Sequence, residues 1–327
     1  RQRTLPLQTV VDRNGEPKSA LQIILEEAAG AGVEEFGVVV CPGDEVPYGE
    51  ACGGLRSRVR FIVQTSPRGY GDAVRCGQPF IGHEPFLHLV GDHLHVSHGE
   101  TSCARQLLAV AASEKASISA VQATRESQLT SFGAVGGRLV GGSKPLYQVE
   151  AVLEKPTPTV AEQQLIVPGL RAGFYLCFFG MHVFEPELFG LLEEQQRAAP
   201  DKPLGLSPAL NALATRRRYL ALNVEGRRFD IGAPYGLLFA QLAVASYACP
   251  DVAATGGETH ATMTHSMPAD MPGCEVVDNA NPNRMYTGSV AGGIWTTNNA
   301  GETWTKYNDF MDNLAVSCMT QAPNGDL

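Results

Sequence analysis

The 327-residue sequence predicts an α/β fold on a mixed, mostly parallel sheet, followed by a small all-β segment. Three observations predict it. Short apolar runs of strand length alternate with amphipathic runs of helix length over residues 1–247. Apolar residues make up 44% of the chain and charged residues 18%, enough for a full core and more than one domain. Near residue 248 the composition changes: beyond it lie nine acidic residues, only two basic ones (Arg284 and Lys306), and both tryptophans, Trp295 and Trp304.

The elements follow in order. "SALQIILEEAAGAG" places Leu21, Ile24, Leu25 and Ala28 on one helical face behind an N-cap serine, Ser19. "FGVVVC" and "VRFIVQ" have the length and apolarity of buried strands, and the helix-like "GYGDAVRCG" comes after them. "FLHLVGD" is a third strand, "CARQLLAVAASE" a helix and "SISAVQAT" a fourth strand. Strands spaced by such helices form βαβ units, whose ligands bind beyond the carboxyl ends of the strands. Residues 248–274 lack periodicity and are rich in Gly, Pro, Thr and Ala, as in a linker.

Charge and cysteine content exclude several functions. A net charge of −9 argues against a nucleic-acid binder, which needs a basic face. A nucleotide ligand remains open, because Mg²⁺ reconciles phosphates with carboxylates. The apolar runs are too short for a membrane span and no signal peptide opens the chain, so the expectation is a soluble, cytoplasmic protein without a membrane partner. The eight cysteines form no CxxC pair, which fits reduced thiols.

The stretch "FLHLVGDHLHVSHGE" admits two readings. His93, His95 and His98 could be a metal cluster, although His-x-His needs a third ligand that the spacing does not define. Alternatively Asp92 is the working residue, a Mg²⁺-holding carboxylate at a strand end, beside partly exposed loop histidines. Strand alternation sends His93 and His95 to one side and Asp92 to the other. The second reading is preferred.

A series of motifs then carries a resemblance. In "RQRTLPLQTVVDRNGEPKSALQ", Arg3 and Pro6 match the end of a glycine-rich phosphate loop, and Lys18 is a candidate for its signature lysine. In "QTSPRGYGDAV", Gln64, Gly69 and Gly71 match the pattern Q-x-x-x-x-G-L-G-H-A, with Asp72 in place of the usual His or Gln. "LVGDH" supplies Asp92, "TSFGAVGG" supplies Gly133 and "VLEKPTPT" supplies Glu154 and Lys155. "RAGFYLCFFG" supplies Gly173 and Tyr175, and "RRFDIGAPYGLLFA" supplies Asp230, with Ala233 where Asn or Thr is usual. In this order, residues 1–247 resemble the sugar-1-phosphate nucleotidyltransferases, and among them the bacterial UDP-glucose pyrophosphorylases.

The resemblance implies a three-layer α/β fold of the nucleotide-diphospho-sugar transferase type, without the first strand and glycine-rich loop that precede this arginine in the family. It implies Mg²⁺ held by Asp92 and Asp230, and a pyrimidine base read by Gln64 with Gly69 and Gly71. It implies a sugar pocket of Gly133, Glu154, Gly173 and Tyr175. Lys155 would hold the sugar phosphate, and Arg3 and Lys18 the leaving pyrophosphate. The implied substrates are UTP and glucose-1-phosphate. A thymidylyl- or guanylyltransferase, or a nucleotide-sugar-binding protein of low turnover, is the alternative, and a homo-oligomer is left open.

Residues 275–327 include "YTGSVAGGIWTTNNAGETWTKYND", in which Thr297, Asn299, Gly301, Thr303 and Trp304 resemble an Asp-box blade of the sialidase-type β-propellers. There the box is a structural hairpin device, and one blade cannot close a propeller. The expectation is a tail weakly packed against the rest of the chain or dependent on a partner.

Overall fold

A computed structural model describes residues 2–12, 14–140, 145–246, 273–277, 285–289, 293–298 and 305–306. The chain divides into two units, residues 1–248 and 249–327.

In the first unit a 3-10 turn over Gln2–Leu7 leads into the hairpin β1 (Thr9–Val11) and β2 (Pro17–Ser19). Helix α1 (Ala20–Gly30) starts where the sequence places it. The Ser19 hydroxyl accepts from Gln22 N at 2.9 Å, and Leu21, Ile24, Leu25 and Ala28 are buried. β3 (Phe36–Val40) and β4 (Val59–Val63) pair in parallel, with α2 (Glu45–Ala51) between them. α3 (Tyr70–Cys76) and α4 (Gln78–Ile81) lead to β5 (Phe86–Leu89) and β6 (His93–Ser97). α5 (Cys103–Glu114) and β7 (Ser117–Arg125) follow, then the hairpin β8 (Ala134–Leu139) and β9 (Leu146–Leu153). The unit continues with α6 (Pro158–Gln164), β10 (Phe174–Phe184), α7 (Glu187–Ala198) and α8 (Leu206–Arg216). It closes with β11 (Tyr219–Asn223), β12 (Gly226–Asp230) and α9 (Gly236–Ser246).

The central sheet has the order β5-β10-β7-β11-β9-β8, with β10 also touching β8. Strand alternation divides its side chains between two helical layers. Ile118, Ala120, Met181, Val183, Leu220 and Leu222 pack against Leu107 and Val110 of α5. On the opposite face Val121, Phe184, Tyr219 and Ala221 pack against Leu188, Phe189 and Leu192 of α7 and Leu210 and Leu213 of α8. Helix, sheet and helix make the three layers expected. Burying each such Leu or Phe contributes about 1.5–3 kcal/mol, and these residues hold the layers together.

The sheet is mixed, as expected, but its pairings are mainly antiparallel. Within it only β7–β11 is parallel; β5, β7 and β8 all run antiparallel to β10, and β9 runs antiparallel to both β8 and β11. The parallel expectation came from the βαβ spacing of the first strands. It missed the β8–β9 hairpin and the eleven-residue β10, which lies beside three other strands. A bulge interrupts β10 between Phe178 and His182 and contains Gly180 at φ +86°, a conformation suited to glycine.

In the second unit β13 (Gly273–Val277), β14 (Met285–Ser289), β15 (Gly293–Thr297) and β16 (Thr305–Lys306) form an antiparallel meander. Among the described residues of the tail the elements are all strands, in line with the all-β expectation, and Thr297 is buried. Asn299, Gly301, Thr303 and Trp304 of the Asp-box resemblance lie outside the described residues.

Candidate active site

The two distant aspartates meet. β6 and β12 pair antiparallel with Asp230 opposite His93, and Ile231 N donates to the Asp92 carbonyl at 2.9 Å. Carboxylate oxygens of Asp92 and Asp230 and a ring nitrogen of His93 all lie within 4.8 Å of one another. Asp230 is oriented by its own turn, its Oδ1 accepting from Gly232 N at 2.8 Å and Ala233 N at 3.2 Å. Burial opposes the charge on Asp92. The His93 hydrogen bond and the electrostatic influence of His93 and Lys155 outweigh it and hold the carboxyl below its ordinary range. Two carboxylates and an imidazole form a donor set that fits a divalent cation.

The histidines correct the sequence reading. His93 and His95 belong to strand β6 and not to a loop, and their rings stack with centroids 6.4 Å apart. They share a face as alternation predicts, yet His93 does not point away from Asp92: its Nδ1 stands 2.9 Å from Asp92 Oδ1. β5 ends at Leu89, so Asp92 lies in the turn before β6, where alternation does not govern direction. His95 is bonded to the Phe179 carbonyl at 3.0 Å, and burial lowers it to about 3.

Glu154 and Lys155, expected at the sugar and its phosphate, follow the end of β9. Lys155 has φ +45°, in the left-handed region that a side chain enters at a cost of order 1–3 kcal/mol. Its charge is felt at Asp92. Glu154 accepts from the Ser207 hydroxyl at 2.6 Å. A Cβ at Gly133 would stand 3.1 Å from Glu154 Oε2 and 2.8 Å from Phe178, so this glycine keeps the space beside the carboxylate open.

Tyr70, which the sequence reading passed over, joins this group. It occupies the leucine position of the G-L-G-H motif. Its residue is 44% exposed, but its hydroxyl turns inward and shares a 2.5 Å hydrogen bond with His88 Nε2. That desolvation raises the phenol's pKa, and the charges of Asp92 and Glu154 add to the rise. Burial lowers His88 to about 4, so it is neutral at physiological pH.

Gln64 is buried, and its Nε2 donates to Asp72 Oδ2 at 2.7 Å. Asp72, the substitution in the motif, is itself paired with Arg75 at 2.8 Å. Burial opposes its charge, but the hydrogen bonds from Arg75 and Gln64 prevail and its pKa is lowered. Gly69 and Gly71 have an internal reason to be glycine: a Cβ would stand 2.5 Å from Leu204 O at the first and 2.8 Å from Gly205 O at the second.

The remaining predicted residues lie apart from this cluster or are otherwise engaged. Arg3 is held by Asp44, its Nε and Nη2 donating to the two carboxylate oxygens at 2.9 and 2.5 Å. Its segment nevertheless borders the aspartates, since a Cβ at Gly91 would stand 3.5 Å from Pro6 and one at Gly232 3.1 Å from Leu5. Lys18 pairs with Asp12 at 2.9 Å and Glu26 at 2.8 Å. Gly173 is exposed at φ +76°, before β10. Tyr175 is buried in an apolar cluster with Leu129, Ala134 and Leu165.

A family profile described as nucleotidyl transferase matches residues 6–246. The chain belongs to the nucleotidyl transferase family. UTP–glucose-1-phosphate uridylyltransferase 1 of Streptococcus pyogenes serotype M1 is 29% identical over 247 residues, 68% of this chain and 76% of its own length. The Bacillus subtilis (strain 168) UTP–glucose-1-phosphate uridylyltransferase is 30% identical over 244 residues, 68% of this chain and 78% of its own. Among solved structures, a UDP-glucose pyrophosphorylase complexed with UDP-glucose superposes with a TM-score of 0.60 at 22% identity. It covers 75% of this chain and 90% of that one. These likenesses confirm the nucleotide-diphospho-sugar transferase type of fold. Nucleotidyl transferases of this kind generally use a divalent metal, to which the Asp92, Asp230 and His93 donor set is suited. Among the described residues no helix is long and apolar enough to cross a membrane.

Proposed function

We propose that this chain transfers a uridylyl group from UTP to glucose-1-phosphate, forming UDP-glucose and pyrophosphate. The observation that carries the reading is the convergence of Asp92 and Asp230, from segments 138 residues apart in sequence, within the electrostatic reach of Lys155. A bound Mg²⁺ would supply charge neutralisation at the phosphates.

The residues then divide the work. Lys155 holds the sugar phosphate so that one of its oxygens faces the nucleotide α-phosphorus; the new P–O bond forms there as the bond to pyrophosphate breaks. Little covalent assistance is needed, and positioning lowers the barrier. Glu154, fixed by Ser207, accepts hydrogen bonds from sugar hydroxyls, and Gly133 leaves room for the ring. Gly173 and Tyr175 stay assigned to the far wall of the sugar pocket. Arg3 and Lys18 stay assigned to the leaving pyrophosphate, for which they would have to exchange their present carboxylate partners.

The base assignment rests on Gln64. Asp72 is acceptor-only, so it fixes Nε2 of Gln64 as the donor toward itself and leaves Oε1 as an acceptor for the ligand. Uracil and thymine carry an N3–H that suits it; cytosine does not. Thymine shares uracil's N3–H, so thymidylyl transfer is the second reading; guanine's N1–H could meet the same acceptor, and GTP is compared for that reason. Free thiols at Cys41, Cys52, Cys76, Cys103 and Cys177 support a reducing, cytoplasmic setting.

Pyrophosphate release from UTP, dTTP, GTP and CTP, each with glucose-1-phosphate and Mg²⁺, tests the reading. UTP should be the best substrate and CTP among the poorest. Preference for dTTP would move the assignment to the second reading. Binding of UDP-glucose with no release from any nucleotide would show a binding protein of the same fold.

A further inference from the structure

We propose that His93 is a nitrogen ligand of the divalent cation that Asp92 and Asp230 hold, and that it biases this site toward Mn²⁺ and Co²⁺ over Mg²⁺. The inference rests on the assignment of the two aspartates as cation carboxylates. It is independent of which base or sugar the enzyme takes.

Three observations carry it. First, the geometry comes close to a coordination sphere. Ligand atoms about 2.1 Å from one ion stand about 3 Å apart when adjacent and about 4.2 Å apart when opposite. His93 Nδ1 is 2.9 Å from Asp92 Oδ1, and the three donor atoms span no more than 4.8 Å. Second, the backbone puts the imidazole there by register. His93 is the residue across from Asp230 in the β6–β12 ladder and the immediate neighbour of Asp92. Third, the ring is held. It stacks on His95 and meets the edge of Phe132 at 6.3 Å, and a Cβ at Gly180 of the β10 bulge would lie 3.4 Å from its Cγ. Its side chain is 13% exposed. A ring so confined loses little further freedom on binding a cation.

The chemistry gives the selectivity. Mg²⁺ favours oxygen ligands in a strict octahedron and keeps its waters. An imidazole suits later and softer ions, and affinity rises along Mn²⁺, Fe²⁺ and Co²⁺ for sites containing nitrogen. Two carboxylates alone would not distinguish Mn²⁺ from Mg²⁺ in this way. The competing role is that His93 only donates a proton to Asp92 and orients it. In that role no cation–nitrogen bond forms, and selectivity does not depend on the imidazole.

The full-length chain, titrated with Mn²⁺ alone and followed by electron spin resonance, decides between these roles. Wild-type protein should show ¹⁴N modulation in the spin echo of its bound Mn²⁺, and Mg²⁺ should displace that ion only at about tenfold or greater excess. His93→Asn should remove the modulation and weaken Mn²⁺ about tenfold, with a smaller effect on Mg²⁺. His93→Asp should restore tight Mg²⁺ binding and abolish the Mn²⁺ preference, a shift that loss of folding cannot mimic. Thermal melts of both variants check that they remain folded. The proposal is overturned if bound Mn²⁺ shows no nitrogen coupling, or if the Mn²⁺/Mg²⁺ ratio is the same in wild type and both variants. If Asp92→Asn leaves Mn²⁺ binding intact, the ion sits elsewhere. That result would remove the carboxylate assignment itself, whereas loss of nitrogen coupling alone would leave it standing.

Discussion

Single residues give this site its chemistry. If Gln64 reads the base as proposed, its hydrogen bond to Asp72 ties that recognition to one carboxylate. Asp72→Asn replaces an acceptor-only partner with an amide that can face either way, so Gln64 is no longer locked. Steady-state kinetics should show KM for UTP rising about tenfold and discrimination against CTP falling, the size expected for one mispaired buried polar contact. An unchanged UTP/CTP ratio would mean that Gln64 does not read the base. Lys155→Ala should lower kcat/KM for glucose-1-phosphate by about 10²–10³, as for loss of one preorganised donor to developing charge. Binding of UTP measured by calorimetry should change little; an equal loss in UTP binding would move Lys155 to the nucleotide side. The pairing of Asp92 with Asp230 was legible in the sequence, because both sit with Glu154 and Lys155 in short motifs at strand ends. Tyr70 was passed over, and His93 was legible only with His95 and His98 as a histidine cluster, not with Asp92 and Asp230. Their roles depend on cross-strand register and on the inward turn of a hydroxyl, and neither leaves a periodic trace.

At the scale of elements, a pair of histidines meets across two strands of the central sheet, His182 buried and His88 half-buried. His88 and His182 are opposite each other on β5 and β10, with ring centroids 5.8 Å apart, and His182 Nδ1 shares a 2.5 Å hydrogen bond with Ser119 of β7. Burial lowers His88 to about 4 and His95 to about 3, and pushes His182 well below its ordinary value. The sign follows from proton binding. The unfolded chain protonates these rings near pH 6.5 and the folded chain does not, so stability is complete above that pH and falls as the pH drops toward the folded-state values. Each ring contributes up to about 1 kcal/mol per pH unit in that window. Denaturant melts at pH 7 and pH 5 should show the loss, and His182→Phe should make it shallower; a flat profile between those pH values would contradict the burial. The strand positions themselves were readable from apolar runs. Their pairing directions were not, because βαβ spacing says nothing about the β8–β9 hairpin or the several neighbours of β10.

For the whole molecule, the family match ends at residue 246 and the compact first unit at Ala248. All of the proposed site residues fall inside it. A chain ended at Ala248 should keep its metal binding and its pyrophosphate release within about twofold, the range left by changes that touch no reacting group. A larger loss would give residues 249–327 a part in the reaction. The change of composition near residue 248 marked this division in the sequence, since nine of the acidic residues and both tryptophans lie beyond it. The purpose of the antiparallel β13–β16 meander was not legible there, because the motif the tail resembles is a hairpin device without chemistry of its own.

The central claim is that Asp92 and Asp230 act on one cation. A double-mutant cycle on metal-dependent pyrophosphate release tests it most directly. Asp92→Asn and Asp230→Asn should each cost more than about 100-fold, the upper range for an outer-shell partner, and the double variant should be no worse than the poorer single one. Losses that multiply would show two aspartates working independently and would contradict the shared site.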